Sequence, residues 1–379
     1  MNELEQILSA DSGALIASVQ NEIRKMLVAK QGRIVFFGAG RLGEIALRNA
    51  RRVGFEPVAF ADNNQERWGT GQEVPVVSPL EAANRYGGNS VFVITVYTSA
   101  PVWGQLRGLG IEPISFARLA WLYPAEFLPH AGMELPHKIF QNAQAVLDTA
   151  AIWSDEESRA EFIEQIRWRT TLSPAILRHH PPAADTYFAD DLFSLHNHEV
   201  FVDCGAFDGD SIRAFIGRVN GEFEKIIGLE PDPLNRERFE KFRASLPKGQ
   251  ADCIELLPYA VGDKRERLVF DVTGTAASVL GTGKNQVECV PLDEVITAAP
   301  TFIKMDIEGS EPDALAGCSR IIAVNSPVLS ICVYHLQNHI WAVLLQMKAL
   351  LGDSRFFLRS HVHESWDLVC YAIPSYRLQ

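Results

Sequence analysis

Residues 199–211 read Glu-Val-Phe-Val-Asp-Cys-Gly-Ala-Phe-Asp-Gly-Asp-Ser, and this stretch decides the fold. Its first six residues are mostly apolar and include two β-branched side chains, the composition of a short strand buried in a parallel sheet. Gly205 follows at once, and Ala206, Gly209 and Ser211 keep the next turn small. Ile212, Ala214, Phe215 and Ile216 then resume at helical spacing. A strand that breaks at glycine and re-enters a helix opens a crevice at the carboxyl end of the sheet, where open α/β folds bind ligands. Asp203, Asp208 and Asp210 crowd this crevice. Paired carboxylates repel phosphate, so the loop suits a ligand with an ammonium group and hydroxyls.

Working downstream, strands and helices alternate. Strands are predicted over 225–230, 254–261, 301–307, 328–334, 355–361 and 366–373, with helices at 233–245, 311–318 and 340–350. Residues 268–272 and 287–290 read as an extra hairpin-like excursion. The last two strands are separated by residues 362–365 alone, too short for a parallel crossover. The last strand is therefore antiparallel in an otherwise mostly parallel seven-stranded sheet.

Upstream, residues 33–37 form a predicted strand, followed by Gly38-Ala39-Gly40-Arg41-Leu42-Gly43, a helix over 44–52 and a strand over 58–61 ending in Asp62. This is a βαβ unit with a Gly-x-Gly-x-x-Gly turn and an acidic residue at the spacing of a ribose contact. Further strands are expected at 74–77, 91–96 and 111–116. Ser78-Pro79 marks a capped helix start. Residues 4–29 carry two amphipathic helices broken near Ser12-Gly13. Between the two α/β parts, residues 118–186 differ in texture. Trp121, Tyr123, Trp153 and Trp168, an acid-rich helix start at 154–157 and Pro181-Pro182 as a stop describe a helical connector whose aromatics need burial. The expected organisation is α/β throughout. A Rossmann-like domain (1–117) is followed by the connector (118–186) and a seven-stranded Rossmann-like domain (187–379).

The 379 residues are enough for two cores. The net charge of −12 argues against general binding to nucleic acid or an anionic membrane. No run is long and apolar enough to span a bilayer, and the start lacks a basic and an apolar signal region. The cytoplasm is the expected location, and a homo-oligomer is compatible with the sequence. Six scattered cysteines without a Cys-x-x-Cys pair read as reduced core thiols.

Glu230 ends the second strand of the C-terminal domain, beside the 199–211 loop, where a carboxylate can accept both hydroxyls of an adenosine ribose. Asp306, Glu308 and Glu311 crowd the strand-to-helix turn after the fourth strand, a density that a purely structural role would oppose by charge repulsion.

Residues 201–211, Leu229-Glu230-Pro231-Asp232, Ala260-Val261-Gly262-Asp263 and residues 302–311 together resemble the FkbM family of S-adenosylmethionine-dependent methyltransferases, over about residue 187 to the end. The resemblance implies O-methyl transfer, commonly to sugar hydroxyls. It implies S-adenosylmethionine as cofactor, held by Asp203, Gly205, Ala206, Gly209, Asp210, Ser211, Glu230 and Ala260. Asp306 and His335, at neighbouring strand ends, are the candidate catalytic pair, with His335 expected to take the hydroxyl proton. Glu308, Glu311, Arg359 and His361 are candidates for holding a small-molecule or saccharide acceptor. Asp306, Glu308, Glu311 and His335 are alternatively ligands for a divalent metal, although a metal-free site is expected.

Gly38, Gly40, Gly43 and Asp62 of the first domain suit a nucleotide. Residues 38–76 look like the nucleotide-sugar-binding domain of some sugar-modifying transferases. NAD with oxidoreductase chemistry, a nucleotide-sugar, or no ligand at all stay open, as does a non-catalytic binding module. No hydride-transfer residues follow the glycine turn.

Overall fold

The computed structural model describes residues 3–70, 73–97, 99–128, 130, 132–172, 186–270, 272, 285–361 and 366–378. The chain divides into two compact units. The first comprises Met1–Leu147, Glu161–Pro182 and Val362–Trp366, and the second Asp148–Ala160, Ala183–His361 and Asp367–Gln379. The predicted connector is thus shared between both units.

The first unit is built on strands β1 (Ile34–Phe37), β2 (Ala59–Ala61), β3 (Val76–Val77), β4 (Val91–Ile94) and β5 (Ile114–Ser115), all parallel, in the order β3-β2-β1-β4-β5. β1 is apolar without alternation because both of its faces are buried. Ile34 and Phe36 join a core with Ile23, Leu27, Ala46 and Trp121. Val35 and Phe37 join another with Ala82, Trp103 and Leu106. The N-terminal helices run Glu3–Leu8 and Ser12–Ala29. The break falls before Ser12 rather than at Ser12-Gly13, because Asp11 accepts a hydrogen bond from the Ala14 N–H and caps the second helix. Ser78 caps the helix Pro79–Tyr86 in the same way. Trp121 and Trp168 are buried, as their size demands.

The second unit carries β6 (Val200–Cys204), β7 (Lys225–Leu229), β8 (Ile254–Leu257), β9 (Tyr259–Val261), β10 (Glu266–Phe270), β11 (Asn285–Val290), β12 (Phe302–Met305), β13 (Val328–Cys332), β14 (Ser354–Ser360) and β15 (Leu368–Pro374). Seven of these form one sheet in the order β14-β15-β13-β12-β6-β7-β8, with β15 antiparallel to both of its neighbours. The short link between the last two strands required this. One core face gathers Phe188, Phe201, Phe215 and Phe302, with the Phe201 and Phe302 rings stacked at 5.0 Å. Burying each such ring contributes roughly 1.5–3 kcal/mol.

Two expectations change in detail. The single strand over 254–261 is two strands in different sheets, because Pro258 has no N–H to donate to a ladder. β9 instead pairs with β11, which pairs antiparallel with β10. That pairing is the hairpin-like excursion; residue 271 and residues 273–284 lie outside the described residues, as does Pro181-Pro182. The helix predicted over 311–318 ends at Ala316, and a second runs Ser319–Asn325. The break is at Gly317, where a Cβ would meet the Gly262 carbonyl at 2.0 Å.

Candidate active site

β6 stops at Cys204, and Gly205 takes φ +81. A Cβ there would lie 2.1 Å from the Asp306 carbonyl oxygen, so only glycine lets the two strand ends approach. Phe207 and Gly209 are also left-handed, and Gly209 leads into the helix Asp210–Arg218. The turn borders a cleft of about 800 Å³ at the carboxyl edge, lined in part by Gly205, Phe207, Asp210, Glu230, Ala260, Asp306 and Glu308.

Glu230 clasps the turn. Its Oε2 accepts the Phe207 N–H at 2.9 Å, and its Oε1 accepts the Asp232 N–H at 2.8 Å. Burial pushes its carboxyl up to about 7, with the two N–H groups and Asn235 only partly compensating. Oε1 also accepts from Asn235 Nδ2 at 3.4 Å, which leaves Oε2 with a second lone pair, and the residue forms part of the cleft wall.

Asp203 does not line the cleft. It is fully buried beneath the glycine turn, 2.9 Å from Lys304 Nζ across the β6–β12 register, and accepts a hydrogen bond from Ser211 Oγ. Lys304 Nζ also donates to the Gly205 carbonyl at 2.8 Å. Burial works against the Lys304 charge, but Asp203, Asp306 and Asp210 outweigh it and hold the ammonium protonated. Ala206, Gly209 and Ser211 are likewise buried behind the turn. Lys304 is therefore a site residue that the motif reading passed over. Its signal was a lysine inside a strand buried on both faces, which needs a partner.

Asp306 accepts from Tyr187 Oη at 2.6 Å and Tyr334 Oη at 3.2 Å and lies 3.1 Å from His335 Nε2. Although burial favours its neutral form, His335, Lys304 and Tyr187 hold the carboxyl well below the ordinary range. His335 is only 3% exposed in its side chain, with Glu311 2.8 Å from Nδ1 on the other side of the ring. These are ion-pair contacts without good hydrogen-bond alignment. Burial disfavours the imidazolium, yet Glu311 and Asp306 raise its pKa well above the usual value. Two carboxylates facing the two ring nitrogens favour the doubly protonated imidazole, which argues against the expected role of His335 as base. Glu311, whose carboxyl is held down to about 2 against the effect of burial, also accepts the Ile307 N–H at 3.0 Å and lies 3.2 Å from His339 Nδ1. It braces the 306–310 turn, where Glu308 stands at φ +55.

Among the described residues, Asp306, Glu311 and His335 form one group able to offer three metal-ligand atoms. Asp306 and Glu311, however, face different nitrogens of the imidazole. That arrangement suits an imidazolium between the two carboxylates.

Arg359 turns to Asp155 and Asp191, at 2.7 and 2.8 Å, and His361 Nε2 contacts Tyr371 Oη at 2.8 Å. Neither lines the cleft with Asp306 and Glu308. Asp367, at φ +48 just before β15, is a second residue that sequence reasoning missed. Burial and then the charge of Asp306 push its carboxyl up to about 6, with His335 and Tyr334 opposing. In the first unit, Asp62 accepts the Ala39 N–H at 2.7 Å and the Asn64 N–H at 2.8 Å, and Gly38 takes φ +114.

No helix among the described residues is long and apolar enough to cross a membrane. No curated protein sequence matches the chain. Among solved structures, methyltransferase FkbM from Methylobacillus flagellatus KT superposes with a TM-score of 0.77 at 24% identity, over 98% of this chain and 99% of that one. Methyltransferase PaMTH1 of Podospora anserina, solved with SAH, aligns at 12% identity and a TM-score of 0.29, over 47% of this chain and 72% of its own. The first likeness establishes a common two-unit fold. The methyltransferase FkbM domain matches residues 203–363, which span the glycine turn, Glu230, Lys304, Asp306 and His335. The chain therefore carries an FkbM methyltransferase domain, and it is an S-adenosylmethionine-dependent methyltransferase.

Proposed function

We propose that the enzyme methylates a hydroxyl of a neutral or amino-bearing saccharide, with the cofactor in the Glu230 cleft. The observation that carries this reading is the charge of the cleft wall. Asp210, Glu230, Asp306 and Glu308 line it, and among the described residues the one lining cation, Lys304, is engaged by Asp203 and the Gly205 carbonyl. Such a wall disfavours phosphate- or carboxylate-bearing acceptors and accepts hydrogen bonds from hydroxyl and ammonium groups. Glu230 suits the two hydroxyls of the cofactor ribose, and Gly205, Asp210 and Ala260 form the adjoining wall. When bound, S-adenosylmethionine supplies a methyl group already activated by its sulfonium.

The work left to the protein is alignment of the acceptor oxygen, worth up to roughly 7–11 kcal/mol, and removal of its proton. Asp306 orients through its paired hydroxyls. Asp367, whose carboxyl is pushed up to about 6 by burial and the charge of Asp306 and which interacts with His335 and Tyr334, is the group we assign to take the proton. Its neighbours hold the Asp306 carboxyl well below the usual range, and the carboxylates on both sides of His335 favour its charged form.

Transfer of labelled methyl groups to a panel of neutral sugars, amino sugars and their phosphorylated counterparts tests the reading. Incorporation into the uncharged and amino sugars supports it. Incorporation confined to phosphorylated or carboxylate acceptors refutes it.

A further inference from the structure

The first unit repeats the clasp of the second with opposite charge around it. Glu230 accepts the N–H of Phe207 in its glycine turn and the N–H two residues on, at Asp232. Asp62 does the same with Ala39 and Asn64. Around the second unit's turn stand Asp208 and Asp210; around the first stand Arg41, which opens the helix Arg41–Arg52, and Arg67, whose guanidinium donates to the Ala39 carbonyl.

The glycines of the first turn divide by cause. A Cβ on Gly38 would meet Val96 at 2.4 Å, and one on Gly43 would meet the Gly38 carbonyl at 2.0 Å, so both are fixed by packing. Gly40 has an ordinary φ of −86, and nothing lies within 4 Å of its Cβ position. Neither backbone nor packing demands glycine there. The space it leaves lies at the helix start, where a diphosphate needs close approach to the backbone.

The turn sits at the switch point of the sheet, where β2 and β4 leave β1 on opposite sides. Thr95, after β4, donates its hydroxyl to the Gly38 carbonyl at 2.9 Å, which ties the following loop to the turn. That loop leads to Ser99, at the start of the helix Ala100–Gly108. Its hydroxyl is buried, has no partner and does not cap its own helix. Two flat side chains flank the turn, each 38% exposed: Trp68 on the β2 side and Tyr97 on the β4 side. Tyr97 stacks on His130, whose imidazole is pushed down to about 4 by burial and by Arg41, which places that arginine beside the same aromatic group.

We propose that the first unit binds a nucleoside diphosphate at this switch point, with the diphosphate over Gly40 between Arg41 and Arg67 and the ribose at Asp62. The charge contrast divides the ligands: an anionic nucleotide at the arginine-flanked turn, a sulfonium cofactor at the acid-flanked one.

The test uses the full chain saturated with S-adenosylhomocysteine, so that the second unit's cleft is filled. UDP, UDP-glucose, ADP, NAD and inorganic phosphate are titrated in turn by calorimetry. At least one nucleoside diphosphate is expected to bind well below about 1 mM, the level of unaided weak association. Arg67→Ala is expected to weaken it by roughly tenfold or more, as a charge-assisted contact is lost. Gly40→Val should abolish it with the melting temperature and S-adenosylhomocysteine affinity unchanged, because the site has room for the side chain in the protein itself. Gly43→Val is unsuitable, since it breaks the turn. Absence of binding by all four nucleotides overturns the proposal. So does phosphate binding as tightly as the nucleotides, or a Gly40→Val protein that binds normally. None of these outcomes touches the methyltransferase reading, which the S-adenosylhomocysteine titration reports separately.

Discussion

If Glu230 receives the cofactor ribose, cofactor affinity must depend on pH through that one group. The carboxyl is buried at 5% exposure and raised from 4.5 to about 7. At 1.36 kcal/mol per unit, keeping it ionised in the folded protein costs about 3 kcal/mol. The sign follows from linkage. The folded state holds this proton more tightly than the unfolded one, so the group's contribution to stability is greatest below about pH 4.5 and is lost as pH rises towards about 7. Binding runs the other way, because ribose hydroxyls donate to the ionised form. Affinity for S-adenosylhomocysteine should be flat above about pH 8 and fall by up to tenfold per unit below 7. That amounts to about 30-fold weaker binding near pH 5.5 than near pH 8.5. Calorimetry at several pH values in two buffers of different ionisation enthalpy measures both the affinity and the proton released. Glu230→Gln should bind weakly and without this pH dependence, since its amide cannot accept from Phe207, Asp232 and two hydroxyls at once. A wild-type affinity that is level from pH 5.5 to 8.5 would refute the assignment of Glu230 to the cofactor.

Three other outcomes are expected. His335→Ala removes the imidazole that faces both Asp306 and Glu311 and should cost about 3–5 kcal/mol of stability, read by denaturant melts; an unchanged melt with a selective loss of kcat would restore His335 as a base. Asp367→Asn should lower kcat by about 10²–10⁴-fold and remove an acid limb near pH 6 while leaving S-adenosylhomocysteine affinity intact, and a variant with full turnover would remove Asp367 from the chemistry. Lys304→Met should be strongly destabilising because Asp203 is left buried and alone, whereas the double variant with Asp203→Asn should recover much of that loss but not cofactor affinity, since the Gly205 carbonyl has lost its donor.

Local chemistry made much of the fold legible. The 199–211 stretch shows its strand, turn and helix because each depends on neighbours in sequence, and the short final link forces an antiparallel strand whatever surrounds it. Pro258 carried the signal for the split of β8 from β9, but an apolar run on either side concealed it. The site was legible as a set of positions and less so as a set of roles. Tyr187 reaches Asp306 from 119 residues away, and no spacing announces that contact. Asp367 has no motif around it at all. The charge of His335 depends on Glu311 and Asp306 facing its two nitrogens, a fact of packing that strand order alone does not contain.

What packing adds is a sorting of carboxylates that look equivalent in the sequence. Asp203 is neutralised by Lys304, Glu311 by His335 and its loop N–H groups, and Asp306 by two tyrosine hydroxyls and His335. These acids shape the turns, and among them Asp306 also lines the cleft. Asp210, Glu230 and Glu308 line the cleft itself, and burial pushes the Glu230 carboxyl up to about 7. At an effective dielectric of about 20, each pair of like unit charges near 5 Å costs about 3 kcal/mol, or roughly two orders of magnitude in affinity. A phosphate meeting two such groups would lose more than its hydrogen bonds could return, whereas a hydroxyl or ammonium would gain from the same oxygens. Acceptor selection then rests on the acids that line the cleft. Replacing Glu308 by Gln should therefore relax discrimination against phosphorylated sugars before it impairs turnover of neutral ones, and an unchanged ratio of the two rates would show that the wall's charge does not select the acceptor.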